Sequence, residues 1–367
     1  MDFSLSGEQQ QLRDSVRGWL KSHHGFEHRR AISRSESGWD AATWTAFADD
    51  LGILSLADIA VPHDAVTVMV VMEELGEALI TVPFLETVVT GAAVLRAAGG
   101  EAAQALSDGI IAGDVRLALA WAEPDTRYGW QPRTTRAVRE GNGWRLDGLK
   151  SVVVGAPWAT HLIVSALTDT GTSLFVVAPD AIGVSLMSYP TIDGRRAADV
   201  RFEGVVLSGD ALLGEEGAAL PVLERVGDIS IAAMGAEAVG VMRRMLADTI
   251  EYTGQRKQFG QPIASFQVLQ HRMVDMFMQI EMATSAVYLA TLRLEAEPAE
   301  RARAASVAKV TIGEACRFVG QNAVQLHGGM GMTDDAAVSH YFKRATVIEG
   351  EFGTTDHHVE RFISVAG

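Results

Sequence analysis

Two short stretches near the end of the chain carry the residue types that hold a charged, ring-bearing ligand. Gln255-Arg256-Lys257-Gln258-Phe259-Gly260-Gln261-Pro262-Ile263 supplies cations, amides and an aromatic ring, with Phe266-Gln267 just beyond it. After a long helical stretch comes Gln325-Leu326-His327-Gly328-Gly329-Met330-Gly331-Met332, an amide beside a backbone opened by glycine. A guanidinium in a turn between two helices can grip a phosphate through two parallel hydrogen bonds. Residues without a Cβ let the backbone come close to a bulky group. By itself Arg256 reads as a solvated surface charge. Combined, the two stretches are equipment for an anionic pyrophosphate with an adenosine attached.

Three kinds of element must position these residues. Residues 1–113 read as helical: Ser6 precedes a run from Glu8 to Trp19 with Leu12, Val16, Trp19 and Leu20 at helix spacing, and the pattern continues through 43–51, 66–79 and 83–98. Gly99-Gly100 punctuates it, and one further short helix reaches Ile111. Residues 114–217 change period. Short strands are predicted at 115–121, 135–139, 144–147, 151–154, 161–165, 173–178, 184–187, 200–202 and 205–207. Glu140-Gly141-Asn142-Gly143 marks a hairpin. Strands of this length and spacing predict a small sandwich or barrel. Residues 218–367 return to helix, with long runs at 229–254, 266–295 and 299–326 and a terminal one at 336–346, which predicts a four-helix bundle. The run Met273, Met276, Met278, Met282 reads as core filler.

Composition bounds the function. A chain of 367 residues with 48% hydrophobic and 21% charged residues is an ordinary globular protein of two or three domains. A formal charge of −15 argues against nucleic acid or an anionic membrane surface as a main partner, while a local pair such as Arg256-Lys257 still suits a small anion. The single cysteine, Cys316, excludes an internal disulfide framework, fits a reducing cytosol and reads as a small buried helix residue. The acidic start Met1-Asp2-Phe3-Ser4 has no secretory pattern, and the apolar segment 67–79 is broken by Glu73, Glu74 and Glu77. A cytoplasmic protein without membrane insertion is expected. His357-His358 are adjacent and lack a cluster of further ligands, so no metal site is assigned.

The paired motifs, in this order and inside helical sequence, resemble the C-terminal domain of the acyl-CoA dehydrogenase flavoprotein family. The helical, β, helical order extends the resemblance over the whole chain. It implies an α+β, acyl-CoA dehydrogenase-like fold: an N-terminal helical domain (1–113), a middle β-barrel or sandwich (114–217) and a C-terminal four-helix bundle (218–367). It also implies FAD as cofactor, an acyl-CoA thioester as substrate, and an electron acceptor such as an electron-transfer flavoprotein. The expected assembly is a dimer or tetramer with an identical or homologous subunit. On this resemblance Arg256, Phe259, Gln267, Gln325, Gly328 and Gly329 contact the ADP part of an FAD held mainly by the neighbouring subunit, and Thr354 is a further cofactor-binding residue.

The chain departs from the family at the flavin ring and at the base. The family's hydroxyl-bearing Leu-Thr-Glu-Pro run becomes Trp121-Ala122-Glu123-Pro124, and the Gly-Ser-Asp element after it is missing. The Lys-aromatic-Ile-Thr-Asn signature becomes Lys150-Ser151-Val152-Val153-Val154-Gly155. Val152 cannot stack on a flavin as an aromatic would, and Val154 cannot hydrogen-bond it. Gly353-Thr354 aligns with the dipeptide that follows the family's catalytic glutamate, which puts Phe352 at the base position. If the turn shifts, Glu351 and Glu349 are the carboxylates close enough to act. Asp228, near the family's alternative base position, is the weaker candidate, and Ile231 stands where the usual arginine would be. The residues a subunit lends to its partner are kept, and those for its own flavin ring and base are lost. The expected function is therefore the auxiliary subunit of a heteromeric acyl-CoA dehydrogenase, or a homo-oligomer with a displaced base. A flavin monooxygenase of the same fold and a structural partner without cofactor stay open.

Overall fold

The computed structural model describes residues 4–61 and 64–366. It packs as two compact units, one of residues 1–30, 64–80 and 231–367, the other of residues 31–63 and 81–230.

The second unit is built on one sheet. Its strands are β1 (Leu117–Ala120), β2 (Arg136–Glu140), β3 (Gly143–Val154), β4 (His161–Leu167), β5 (Thr172–Val177), β6 (Val184–Pro190), β7 (Arg196–Leu207) and β8 (Leu212–Leu213). They run in the order β6-β7-β3-β2-β4-β5-β8, with β1 parallel to β4. The predicted hairpin joins β2 to β3 with Glu140 opposite Gly143. Trp144 on β3 and Phe175 on β5 are not on neighbouring strands, yet their rings lie 5.1 Å apart. The sheet therefore curls around a shared core that also holds Leu146, Val164, Val200 and Phe202.

Sequence spacing cut β3 and β7 into two pieces each. Both are continuous, and the glycines behind the cuts form irregularities in the ladder. Gly148, with φ 152°, lies so close to Thr135 that a Cβ would sit 2.6 Å from the Thr135 Cα. Gly204, with φ 62°, donates its N–H to Asp147 Oδ1 at 2.7 Å.

The helix expected from 83 to 98 is π-helical over Leu85–Gly91 and becomes α-helical at α5 (Ala92–Ala98). The wider turns accompany a side-on attachment to β1: Thr87 Oγ1 accepts the Leu117 N–H at 3.0 Å, and Gly91 leaves room for the Leu117 side chain.

The other unit is helical. α1 (Gly7–His23) begins at Ser6, which forms a reciprocal capping box with Gln9. α4 (Ala65–Glu77) crosses α7 (Ala219–Gln255) where Gly76 meets the Glu237 backbone and Gly240 meets that of Glu73. The rest is α8 (Gln267–Leu292), α9 (Pro298–His327), α10 (Ala337–Gly350) and α11 (Thr355–Ala366). α11 follows the four helices read from sequence. Its amphipathic stretch is short, and Gly353, with φ 121°, separates it from α10.

The methionine run needs correction. Met276 is buried, as are Ile280, Ala283 and Val287, which form the inner face of α8. Met278 and Met282 are 50% and 56% exposed, on an outer stripe with Val274, Phe277 and Leu289. At helix spacing, four methionines within ten positions cannot all face one core.

An added Cβ at Gly240 would drive the α4 and α7 backbones apart, because the obstacle is the main chain of Glu73. Gly240→Ala is expected to lower the unfolding free energy by about 1–3 kcal/mol in urea denaturation. Gly254→Ala, where a Cβ meets open space, is the control expected to leave stability unchanged or slightly raised.

Candidate functional site

Three helix ends converge on the first candidate site. α7 ends at Gln255, and β9 (Lys257–Gln258) and β10 (Gln261–Pro262) form a tight hairpin before α8 starts. Its turn, Phe259-Gly260, has φ of 53° and 80°, the left-handed pair that a two-residue hairpin demands. The Arg256 carbonyl accepts the Ile263 N–H at 2.8 Å, which closes the base of the hairpin. Arg256 and Gln267 are exposed, and Phe259 is 91% exposed with its ring edge-on to Phe266 at 6.1 Å.

At the end of α9, His327 stacks on Tyr252 of α7 with ring centroids 4.5 Å apart. Nearby along these helices, Arg272 of α8 donates to Asn322 of α9 at 3.3 Å. These contacts bring Gln325, Gly328 and Gly329 to the same end of the bundle as Arg256. Gly328 has φ 60°, and nothing lies within 4 Å of where a Cβ would stand at Gly328 or Gly329. An exposed guanidinium, exposed amides and an uncovered glycine backbone fit the ADP half of a dinucleotide.

Thr354 stands apart. Its neighbour Thr355 packs against Gly313, which is roughly 20 Å along α9 from the glycine turn at 1.5 Å per residue. Thr354 Oγ1 accepts the His357 N–H at 3.4 Å at the start of α11.

The turn between α10 and α11 carries the base position, and Phe352 there has φ 57°. For a bulky residue that conformation costs about 1–3 kcal/mol and persists only where the surroundings impose it. Lys309, fully buried on α9, donates to the carbonyls of Glu349 at 2.8 Å and Gly353 at 2.6 Å. Burial lowers its pKa to about 8, against the pull of Cys316 and Glu351. His358 Nε2 lies 2.9 Å from the Phe352 carbonyl. Burial lowers the His358 pKa to about 3, so the ring is neutral and the nitrogen facing the carbonyl carries the proton. Of the carboxylates considered for the base, Glu349 is paired with Arg317, and Glu351 accepts from Arg344 at 3.1 Å. Arg344 is itself buried and grips Glu237 of α7 through two bonds of 2.6 and 2.8 Å.

In the β unit, the two fragments of family signature that survive turn out to be partners. Lys150 Nζ is 2.9 Å from Glu123 Oε1 and also donates to Ser165 Oγ and the Trp121 carbonyl. Glu123 accepts from the backbone N–H groups of Arg133, Thr134 and Thr135. Burial raises the Glu123 carboxyl, but the Lys150 charge and these donors outweigh it and hold it well below the usual carboxylate range. Burial pulls Lys150 down to about 8 in spite of Glu123. The pair thus pins the loop from Trp121 to Thr135 onto β3. The rings of Trp121 and Trp130 meet within that loop, 4.3 Å between centroids and tilted by 36°. Val152 sits exposed on a bulge of β3 with φ 53°, its N–H held by Asp199 at 2.9 Å, and Tyr189 donates to the same carboxylate oxygen. Asp228 is buried in this unit, near the start of α7.

Sequence reasoning did not single out Lys309 or the Glu123–Lys150 pair as a unit, and it weighed His358 only as a metal ligand. One signal was readable: Lys309 interrupts an apolar stripe of α9 that includes Ala305, Ala308, Ile312 and Cys316.

Comparison with known proteins settles the class. Residues 118–205 match the family model for the acyl-CoA dehydrogenase middle domain, and residues 229–364 match that for the C-terminal domain. The chain belongs to the acyl-CoA dehydrogenase family, oxidoreductases acting on the CH–CH bond of acyl-CoA thioesters. Among relatives, it is 28% identical to acyl-CoA dehydrogenase FadE27 of Mycobacterium tuberculosis, over 98% of this chain and 97% of that protein. It is 27% identical to acyl-CoA dehydrogenase IpdE2 of Mycolicibacterium smegmatis, over 93% of each. A solved structure, the ChsE4-ChsE5 complex from Mycobacterium tuberculosis, matches with TM-score 0.90 and 27% identity, covering 99% of this chain and 98% of the compared one.

Removing one member of a buried ion pair leaves the other charge unpaired. Lys150→Met is expected to cost about 3–5 kcal/mol of stability in urea denaturation, with part recovered when Glu123→Leu is added. Loss below 1 kcal/mol would show that the pair does not pin the loop.

Proposed function

We propose that this chain is a subunit of an FAD-dependent acyl-CoA dehydrogenase, and that it works with a homologous partner. It lends its Arg256 hairpin and its Gly328-Gly329 turn to the ADP half of a flavin held mainly by the partner. The observation that carries this reading is the contrast within the chain. The ADP-type surface is present and open, whereas Ala122, Val152 and Val154 offer no hydroxyl or ring to a flavin of its own, and Phe352 stands at the base position. The similarity to the ChsE4-ChsE5 complex, which is named for two chains, supports a mixed assembly. The exposed apolar stripe of α8, from Val274 to Leu289, favours association with a second chain of either kind.

Within that assembly the residues have distinct work. Arg256 would neutralise the pyrophosphate, Gly328 and Gly329 would leave the backbone open to it, and Phe259, Gln267 and Gln325 would contact the ADP half. Bound flavin supplies hydride acceptance, and an electron-transfer flavoprotein is the expected onward acceptor. Removing the α-proton of the thioester requires a carboxylate. Glu349 and Glu351 are the nearest to the base position, and both are engaged by arginines, so the partner provides the base.

Two measurements test this. Arg256→Ala removes a charge-assisted phosphate contact and should weaken flavin retention by roughly tenfold to a hundredfold after dilution and gel filtration. Unchanged flavin occupancy would sink the assignment.

Anaerobic mixing with acyl-CoA should bleach flavin in the unaided chain about 10²–10⁴-fold more slowly than in the chain co-purified with its homologue. If Glu351→Gln or Glu349→Gln abolishes a residual rate, the base is the chain's own. Rapid bleaching that survives replacing Asp228, Glu349 and Glu351 together would overturn both versions. A complex that binds no flavin at all would make this chain a structural partner.

A further inference from the structure

The turn that carries Phe352 is more heavily held than a simple link between two helices requires. Three carbonyls in or just before it, those of Glu349, Phe352 and Gly353, meet nitrogen donors: Lys309 on the separate helix α9 and His358 on α11. Both side chains are almost fully buried. The helices also close in sterically. A Cβ at Gly353 would lie 2.6–2.9 Å from His357 and His358, and one at Gly313 would lie 2.9 Å from Thr355 Oγ1. His358 Nδ1 is 3.4 Å from Ser306 Oγ on α9, so the histidine is oriented at both ring nitrogens. Phe352 keeps φ 57° inside this frame. A left-handed backbone at so bulky a residue persists only where its surroundings over-determine it.

We infer that Lys309 and His358 are positioning residues that fix the backbone of residues 349–354, so that whatever side chain stands at 352 is presented in one place. This rests on the proposed reading of residue 352 as the base position. Its consequence is that only the carboxylate is missing. The scaffold that would aim it is intact, and the single change Phe352→Glu restores a positioned base. Such a base removes the C2 proton of an acyl-CoA as the carbon–hydrogen bond breaks to an enolate, and a deuteron from solvent then returns to carbon. The exchange needs no oxidant.

Two readouts test the inference on the full chain, with its partner if it requires one. In hydrogen–deuterium exchange, Lys309→Met should speed exchange at the Glu351 and Gly353 amides about tenfold or more while the middle of α9 stays protected, and Lys309→Arg should restore part of the protection. If the turn exchanges at the same rate in Lys309→Met and in His358→Phe, or if α9 and the turn loosen together, the positioning role is wrong. In D₂O, Phe352→Glu should exchange the C2 protons of butanoyl-CoA or octanoyl-CoA, followed by NMR. Adding Lys309→Met should slow that exchange about tenfold or more at matched melting temperature. No exchange by Phe352→Glu, with the turn still shown to be held by Lys309, would overturn the reading of 352 as the base position and leave the positioning role standing. Exchange that is indifferent to Lys309 would overturn the positioning role.

Discussion

The guanidinium of Arg344 ties the C-terminal helices into one object. It is buried, and a buried charge must be matched in full or it destabilises the fold. Both oxygens of Glu237 on α7 meet it, and Glu351 at the end of α10 takes its remaining edge. Glu237 in turn lies where Gly76 of α4 comes against its backbone, so α4, α7 and α10 are set by one contact region. Once α10 is placed, its last turn has little freedom. Lys309 and His358 then take the carbonyls that the end of α10 leaves unpaired.

The β unit solves the same problem with a different pair. Glu123 and Lys150 are each too polar to bury without a partner, and each finds the other together with hydroxyl and backbone groups. Glu123 and Lys150 therefore have a structural role of their own. Ala122, Val152 and Val154, which lie beside them in sequence, have no such obligation. A residue that holds a loop in place and a residue that touches a cofactor can be neighbours in a signature and still be lost separately.

Assembly follows from surface chemistry. The outer stripe of α8 and the ring of Phe259 expose apolar area that a monomer would leave in water. The ADP-type surface lies at one end of the bundle, and Thr354 lies far from it along α9. The proposed function accommodates that separation with a second chain.

The sequence by itself determined the class, the α+β order of elements, and the two motifs of the candidate site, because each depends on local pattern. Helix and strand periods, the Glu140-Gly141-Asn142-Gly143 hairpin signal and the Arg256 and Gly328-Gly329 runs are each written within a short local stretch. Tertiary structure decided what depends on distant partners. Gly148 and Gly204 look like strand breakers until the opposing strand turns them into bulges. Met278 and Met282 look like core until packing on α9 uses only one face of α8. Lys309 lies 40 residues before Glu349, and no local pattern links it to the Phe352 turn or to His358, which reaches back to the Phe352 carbonyl. Glu349 and Glu351 look available until Arg317 of α9 and Arg344, two turns back on α10, engage them. Burial brings such groups together, and the cost of burying unpaired charge makes them choose each other.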